Sequence, residues 1–478
     1  MKTKWLPVVV LLAICGSVRA GDLEVAPYEF KASDGTTVAA ERGTFTVPER
    51  RADPASRRLK LTFVRFPATG EKKGPPIVYL AGGPGGSGID TARGRRFPLF
   101  MAMREFGDVI ALDQRGTGAS NDAPQCKPQK GFPADRLFTS ESAGAFYRDL
   151  AQECVAFWKS KGVDITGYNT VENAADINEL RSRLGAEKVV LWGISYGTHL
   201  ALAFFKQFPD RVEKAVLSSI EGLDETVKVP AETDAYIARL QKTINLDPDA
   251  AKAYPDLAGL IRRVEKRLED KPVKVLVKIA ADQEVEMTLG KFDMQIMLAS
   301  GITDPRVAAN LPGLFAMMDK GDFSQAAPAL YHYFRDPNLI TFGATSLAMD
   351  IASGLSPQMS RLVTKQARTA LVGDALNFPM PQLAHLPGIP DLGDEFRRSP
   401  KSNVPVLFLS GTLDGRTYPE SAARIAAGFP NATRLIVENG GHNLFEAAPE
   451  IQEFIVAYMR TGKLPAPGIS LPPPKFPH

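Results

Sequence analysis

The stretch Val189-Val190-Leu191-Trp192-Gly193-Ile194-Ser195-Tyr196-Gly197-Thr198 passes from a fully apolar run, through a serine between two glycines, into a segment with helical apolar spacing. A short run of this kind is a strand buried on both faces. Small residues two before and two after Ser195 permit a sharp strand-to-helix turn with the hydroxyl at its apex. A hydroxyl exposed in that way becomes a nucleophile once a neighbouring base takes its proton. In a chain with 40 glycines the pattern alone is cheap, so its surroundings decide.

Working outward, strand-like runs are predicted at 44–47, 59–66, 77–80, 109–112, 189–192 and 215–217. Helix-like segments lie between them at 93–106, 142–159, 171–184 and 200–208. Continuous apolar strands alternating with amphipathic helices describe a mostly parallel sheet with helices on both faces. The alternation resumes at 404–409 and 435–437 and closes with a helix at 449–460. From 223 to 401 the rhythm breaks into a mainly helical stretch, with apolar spacing at 251–268 and 292–297 and a hairpin over 273–277 and 284–289. That stretch reads as a cap inserted before the last strands, with Phe315, Met317 and Met318 assigned to its core. The expected divisions are a leader at 1–20, core segments at 21–222 and 402–463, the cap at 223–401, and a Pro-rich tail at 464–478 extended over the surface.

Lys2 and Lys4, an apolar stretch of about ten residues and Val18-Arg19-Ala20 form an export signal with a cleavage site, too short to span a bilayer. The alternative is an anchored form. The formal charge of +3 resides in this leader; without it 54 basic and 54 acidic residues remain. A balanced chain of 44% hydrophobic and 23% charged residues gives no reason to expect nucleic acid or an anionic membrane as partner. Export leaves Cys126 and Cys154 in an oxidising compartment, where a disulfide is the expected state and two buried thiols the alternative. No cysteine or histidine spacing suggests a zinc site, and no metal or cofactor is expected. Oligomeric state is not legible in the sequence.

A serine nucleophile needs a base, and the base needs an acid to orient it. Of five histidines, His199 lies in the helix after the serine, His332 and His385 in the cap, and His478 at the last position. His442, in Asn439-Gly440-Gly441-His442-Asn443, follows the 435–437 strand and can reach a crevice at the carboxyl edge of a parallel sheet. Asp414, in Gly411-Thr412-Leu413-Asp414-Gly415-Arg416, follows the 404–409 strand. Taken singly, each also suits an ordinary surface turn. Together they give the order Ser, Asp, His, each just beyond its own strand, as in α/β-hydrolases. An oxyanion formed at Ser195 needs backbone N–H donors, which Tyr196 and the loop Ala81-Gly82-Gly83-Pro84-Gly85-Gly86-Ser87-Gly88 supply. That loop lacks the spacing of a nucleotide-binding motif.

Gly82-Gly83-Pro84-Gly85, Asp113-Gln114-Arg115-Gly116-Thr117-Gly118, Gly193-Ile194-Ser195-Tyr196-Gly197-Thr198, Asp414 and Gly441-His442 together resemble the prolyl and tripeptidyl aminopeptidase family of α/β-hydrolases. The resemblance implies a serine exopeptidase with Ser195, Asp414 and His442 catalytic and with Gly83 and Tyr196 as oxyanion donors. It also supports the Cys126–Cys154 bridge. Ala81 and Tyr196, where many proline iminopeptidases have His and Trp, place the chain nearer the tripeptidyl branch. Asp113 and Arg115 are read as braces for the loops beside the site.

An aminopeptidase must also hold an α-ammonium group, which calls for a partly desolvated carboxylate. Glu221, just past the 215–217 strand, is the first candidate and Asp350, in an apolar segment, the second. Each could instead cap a helix or pair with a cap arginine. The substrates implied are short peptides or other small acyl compounds. A carboxylesterase or lipase on the same fold is the alternative enzyme, and a binding protein without catalysis the alternative of another class.

Overall fold

The structure, a computed structural model, describes residues 23–477; the export signal expected at 1–20 lies outside the described residues. In chain order the strands are β1 Leu23–Lys31, β2 Thr37–Pro48, β3 Arg58–Phe66, β4 Ile77–Leu80, β5 Val109–Leu112, β6 Val189–Ser195, β7 Val212–Ile220, β8 Val273–Ala280, β9 Gln283–Leu289, β10 Val406–Gly411, β11 Ala432–Glu438 and β12 Gly468–Ser470. Ten of them form one sheet in the order β1-β2-β3-β5-β4-β6-β7-β10-β11-β12. The β1-β2-β3-β5 pairings are antiparallel. Every pairing from β5 onward is parallel. The central runs are buried along their length, which is why they read as continuous apolar segments and not as alternating ones.

Helices α1 Gly88–Arg93 and α2 Phe97–Met103 follow β4; α3 Ser140–Ser160 and α4 Thr170–Arg183 precede β6; α5 Tyr196–Gln207 follows it. Between β7 and β10 come α6 Pro230–Ile244, α7 Pro248–Ala253, α8 Leu257–Asp270, the β8-β9 hairpin, α9 Lys291–Gly301, α10 Pro305–Ala308, α11 Leu311–Asp319, α12 Ala326–Phe334, α13 Ala344–Ser353, α14 Pro357–Ala367, α15 Met380–Leu383 and α16 Gly393–Arg397. Then α17 Pro419–Ala426 and α18 Pro449–Thr461 complete the set. Side chains of α1, α2 and α18 pack with Tyr79 and Trp192 on one face of the sheet. Those of α3, α4, α5 and α17 pack with Val78, Leu80 and Leu191 on the other. The ring of Trp192 lies 4.8 Å from Tyr79, 4.6 Å from Phe100 and 5.6 Å from Phe445. Burying one such side chain contributes about 1.5–3 kcal/mol, and here it anchors the strand that delivers the serine.

The segment between β7 and β10 builds a core of its own around residues such as Leu260, Val264, Leu298, Phe315 and Met318. Not all of its helices join it: Leu347, Ala348, Met349, Ile351 and Ala352 of α13, Leu383 of α15 and Phe396 of α16 are buried in the sheet-side cluster. That placement carries α13 to the sheet edge where the site lies.

Several expectations are corrected. The helix expected at 93–106 is two: α1 is capped at Gly94, and α2 starts afresh with Pro98 in its first turn. The 251–268 segment likewise breaks, with Asp256 capping α8 by accepting the Gly259 N–H at 2.9 Å. Strand β1 was not anticipated, because most of it is exposed and its apolar alternation is weak. The tail is not merely draped: β12 pairs in parallel with β11, and Phe476 is buried in the cap cluster.

Three ties hold the loops beside the strand-to-helix turn at Ser195. Cys126 and Cys154 are joined by a disulfide, Cα–Cα 5.7 Å, linking the loop after β5 to α3. Arg115 is fully buried, with Nε and Nη2 donating to the two Asp176 oxygens at 2.7 Å each and Nη1 to the Gly167 carbonyl at 2.5 Å. Removing one partner of such a pair would strand a buried charge at about 3–5 kcal/mol. Asp113 accepts from Ser87 Oγ at 2.7 Å, Ile89 N at 3.0 Å and Ala119 N at 2.7 Å, joining the glycine loop to the loop after β5. The bracing expected of both residues is what the bonds describe.

Candidate active site

Ser195 sits at the junction of β6 and α5 with φ 55° and ψ −128°, a conformation costly for a residue with a side chain. Close packing imposes it. A Cβ on Gly197 would lie 2.0 Å from the Leu80 carbonyl oxygen, and one on Gly193 would lie 2.7 Å from that of Gly197. The glycines of the motif are therefore required by contact between the turn, its own helix and the end of β4. Thr198 Oγ1 donates to the Ser195 carbonyl at 2.7 Å and accepts the Glu221 N–H at 2.8 Å, tying the turn to the loop after β7.

Asp414 and His442 come together from neighbouring strands. Asp414 is fully buried, and both its oxygens lie 3.1 Å from His442 Nδ1. It also accepts from the amides of Arg416 and Thr417 at 2.8 and 2.9 Å and from Thr417 Oγ1 at 2.6 Å. Burial opposes its ionisation, but His442 and the Thr417 bonds outweigh that and hold its pKa below the ordinary carboxylate value. The two loops are laced by backbone bonds: Leu413 N donates to the Gly440 carbonyl at 2.9 Å and Thr412 N to that of Val437 at 3.0 Å.

Two contacts to the His442 loop were not found from the sequence. Ser219, at a register irregularity near the end of β7 and with φ 55°, donates its hydroxyl to the His442 carbonyl at 2.6 Å. Arg96 Nη2 donates to Asn443 Oδ1 at 2.9 Å while its Nε pairs with Glu446 at 2.8 Å. A serine ending a strand and an arginine between helices carry no sequence signal of either contact.

Ser195, His442, Gly82 and Gly83 line a cavity of about 600 Å³. A Cβ on Gly82 would lie 3.0 Å from Ser195 Cβ, so the glycine loop passes directly over the serine. Gln114 Nε2 holds the start of that loop through the Ala81 carbonyl at 3.0 Å. Tyr196 places its amide at the first turn of α5, while its side chain turns away and is buried, with its hydroxyl 3.0 Å from Thr170 Oγ1. His199 is buried too, between the Gly222 carbonyl at 2.9 Å and Ser353 Oγ at 3.1 Å, outside the cavity lining.

Glu221 and Asp350 line the same cavity, together with Lys228, Asn377 and Arg416. Glu221 is 7% exposed and pairs with Lys228 Nζ at 2.5 Å, not with a cap arginine. Lys228 also donates to the Glu225 carbonyl at 2.7 Å. Asp350, on α13, has its pKa pushed up to about 8, chiefly by burial and next by the Glu221 charge, with Lys228 and Arg416 pulling the other way. Sequence reasoning named both carboxylates but missed Lys228, whose place depends on how the loop after β7 folds back. Among the described residues, no cluster of three or more His, Cys, Asp or Glu side chains is placed to hold a metal ion, and no helix is long and apolar enough to cross a membrane.

The comparisons with known proteins agree with this geometry. The family model described as alpha/beta hydrolase fold matches residues 75–272, and that of the TAP-like proteins matches 390–470. Serine protease Hip1 of Mycobacterium tuberculosis is 33% identical over 188 residues, covering 37% of this chain and 35% of that protein. The tripeptidyl aminopeptidase of Streptomyces coelicolor is 31% identical over 193 residues, covering 37% of this chain and 34% of that protein. Carboxylesterase B of M. tuberculosis is 34% identical over 137 residues, covering 27% of this chain and 26% of that protein. The matched stretch spans about a third of the length of the first two relatives. The two family models fall on β4–β7 and on β10–β12 of one sheet, and the strand order, the Ser195 turn and the paired Asp414 and His442 fit both; the chain has the α/β-hydrolase fold, and its relatives support a place among the prolyl and tripeptidyl aminopeptidases.

Proposed function

We propose that the protein is an exported serine exopeptidase that removes short peptides from a free N-terminus through an acyl-enzyme. The observation that carries this reading is the presence of Glu221 and Asp350 on the wall of the cavity that also holds Ser195 and His442. An esterase pocket needs only apolar walls; two carboxyls and the single lysine paired with Glu221 leave a desolvated wall with room for a second cation. An arriving α-ammonium would favour the ionised form of Asp350, so binding would expel a proton from that carboxyl.

In the proposed reaction Ser195 Oγ attacks the scissile carbonyl carbon while His442 takes the hydroxyl proton, and Asp414 holds the imidazole and stabilises its charged form. The amides of Gly83 and Tyr196 receive the oxyanion. Collapse breaks the C–N bond as His442 gives its proton to the leaving amine. Water, deprotonated by His442, then attacks the acyl carbon; the ester bond to Ser195 breaks and the serine regains its proton. The leader at 1–20 and the Cys126–Cys154 bridge support an exported protein, periplasmic or released.

A panel of aminoacyl, prolyl and tripeptidyl anilides beside short-chain esters tests the reading, with fluorophosphonate labelling of Ser195 as the check for a competent site. The expected result is turnover of anilides with a free N-terminus and loss of labelling in Ser195→Ala. Efficient turnover of esters with none of the anilides would identify an esterase, and an unlabelled serine would identify a protein without catalysis.

A further inference from the structure

The cavity around Ser195 does not end at His442. His442, Asn443 and Asp304 also line a second cavity of about 500 Å³ on their far side. One wall of it is the segment Ile469, Ser470, Leu471, Pro472 and Pro474; the opposite side carries Pro305 and Arg306 of α10. Both walls are built against the histidine loop. Leu471 N donates to the Glu438 carbonyl at 3.0 Å, and Asn439 Nδ2 donates to the Leu471 carbonyl at 2.8 Å. A Cβ on Gly441 would lie 2.3 Å from Pro305 Cδ, so α10 rests directly on the residue before His442.

We propose that this second groove seats the leaving chain of a peptide substrate, so that the protein acts on peptides extending several residues beyond the scissile bond. The inference rests on the reading of the site as a serine peptidase. The acyl half of the substrate stays on Ser195, in the cavity with Glu221 and Asp350. The leaving amine must lie where His442 can protonate it. The groove shares that histidine with the acyl cavity, and its volume falls in the range of about 300–1,000 Å³ used to hold small ligands. Four of its charged residues are already matched, Arg95 with Glu446 at 3.1 Å and Arg306 with Asp304 at 2.8 Å, and Glu450 adds one carboxylate at the exposed rim. Apart from Glu450, what remains for a ligand is the apolar and main-chain surface of residues 469–474, which fits a peptide backbone with small or apolar side chains.

The experiment uses one acyl part, chosen from the anilide panel, joined to p-nitroaniline, to one alanine or to four alanines. In the unmodified protein, kcat/KM is expected to rise about tenfold or more from the one-residue to the four-residue leaving chain, since binding remote from the reacting bond is used in the transition state. Ser470→Trp and Glu450→Trp fill the groove from two exposed positions on different walls. Each folded variant is expected to lose that gain while keeping the anilide rate within about twofold. No chain-length dependence in the unmodified protein, or a gain that survives both variants, would overturn the groove while anilide turnover left the peptidase reading standing. Absence of any anilide or peptide cleavage would instead remove the peptidase reading and the groove with it.

Discussion

The two sets of residues that share the central cavity are built in opposite ways. Ser195, Asp414 and His442 each stand just past a strand of one sheet, and their loops are locked to one another by backbone bonds and by glycine contacts that leave no room for a side chain. Glu221 also stands just past a strand, but Lys228, which pairs with it, comes from the loop beyond, and Asp350 comes from a helix of the inserted segment that apolar packing carries to the site. The first set satisfies its buried acid completely, so Asp414 is held in its charged form. The second leaves Asp350 with a carboxyl pushed up to about 8, an unfavourable state for a structure and a useful one for a binding site. In the proposed reading the chemistry comes from the sheet edge, and substrate choice from Glu221 there together with Lys228 and Asp350 of the insertion. It follows that the two are separable by mutation.

Removing the chemistry alone is the largest expected effect: Ser195→Ala or His442→Ala lowers kcat by about 10,000-fold or more, and Asp414→Asn by about 1,000- to 10,000-fold. Thermal unfolding of the serine variant should remain close to that of the unmodified protein. Altering the charged cluster should do something different. Glu221→Gln is expected to raise KM for free-amine substrates by about 10- to 100-fold with little change for N-blocked ones, and a uniform loss on both would mean that Glu221 supports the fold instead.

The separation has a pH signature. Asp350 must be ionised to hold an ammonium, and its raised pKa of about 8 places that ionisation beside the titration of a peptide α-amine near 7.7–8.0. Activity on free-amine substrates should therefore climb toward pH 8, with the limb flattened in Asp350→Asn. Stability runs the other way. The folded state binds this proton more tightly than the unfolded chain does, so Asp350's contribution is fully present below about pH 4 and is lost as pH rises to about 8. The melting temperature of Asp350→Asn relative to the unmodified protein should accordingly grow between pH 5 and pH 8, and a constant difference would contradict the assignment.

The smallest effect tests a single tie. Ser219→Ala removes the hydroxyl that holds the His442 carbonyl and is expected to lower kcat about three- to tenfold with KM unchanged. Steady-state kinetics on one anilide would show it, and an unchanged kcat would demote the contact to packing.

Legibility in the sequence follows the same division. The sheet strands from 77 to 220 read well because burial on both faces makes them continuous apolar runs, and the motif residues read well because each lies at a fixed offset from such a strand. Glu221 was visible for that reason, being the residue after β7. Lys228, Arg96 and Ser219 were not visible: a charged residue in a loop and a serine ending a strand have no periodic signature, and their partners lie elsewhere in the chain. Strand β1 was hidden by its exposure, and β12 by its proline-rich flanks, a composition that suits an edge strand but reads as a tail.

The most direct measurement compares kcat/KM for one tripeptidyl anilide with a free N-terminus and the same compound acetylated, on the unmodified protein and on Glu221→Gln. The free amine should be preferred by about 100-fold or more in the unmodified protein, with most of that preference lost in the variant. Equal rates on the two compounds, or faster cleavage of the acetylated one, would contradict a site built to recognise an N-terminus.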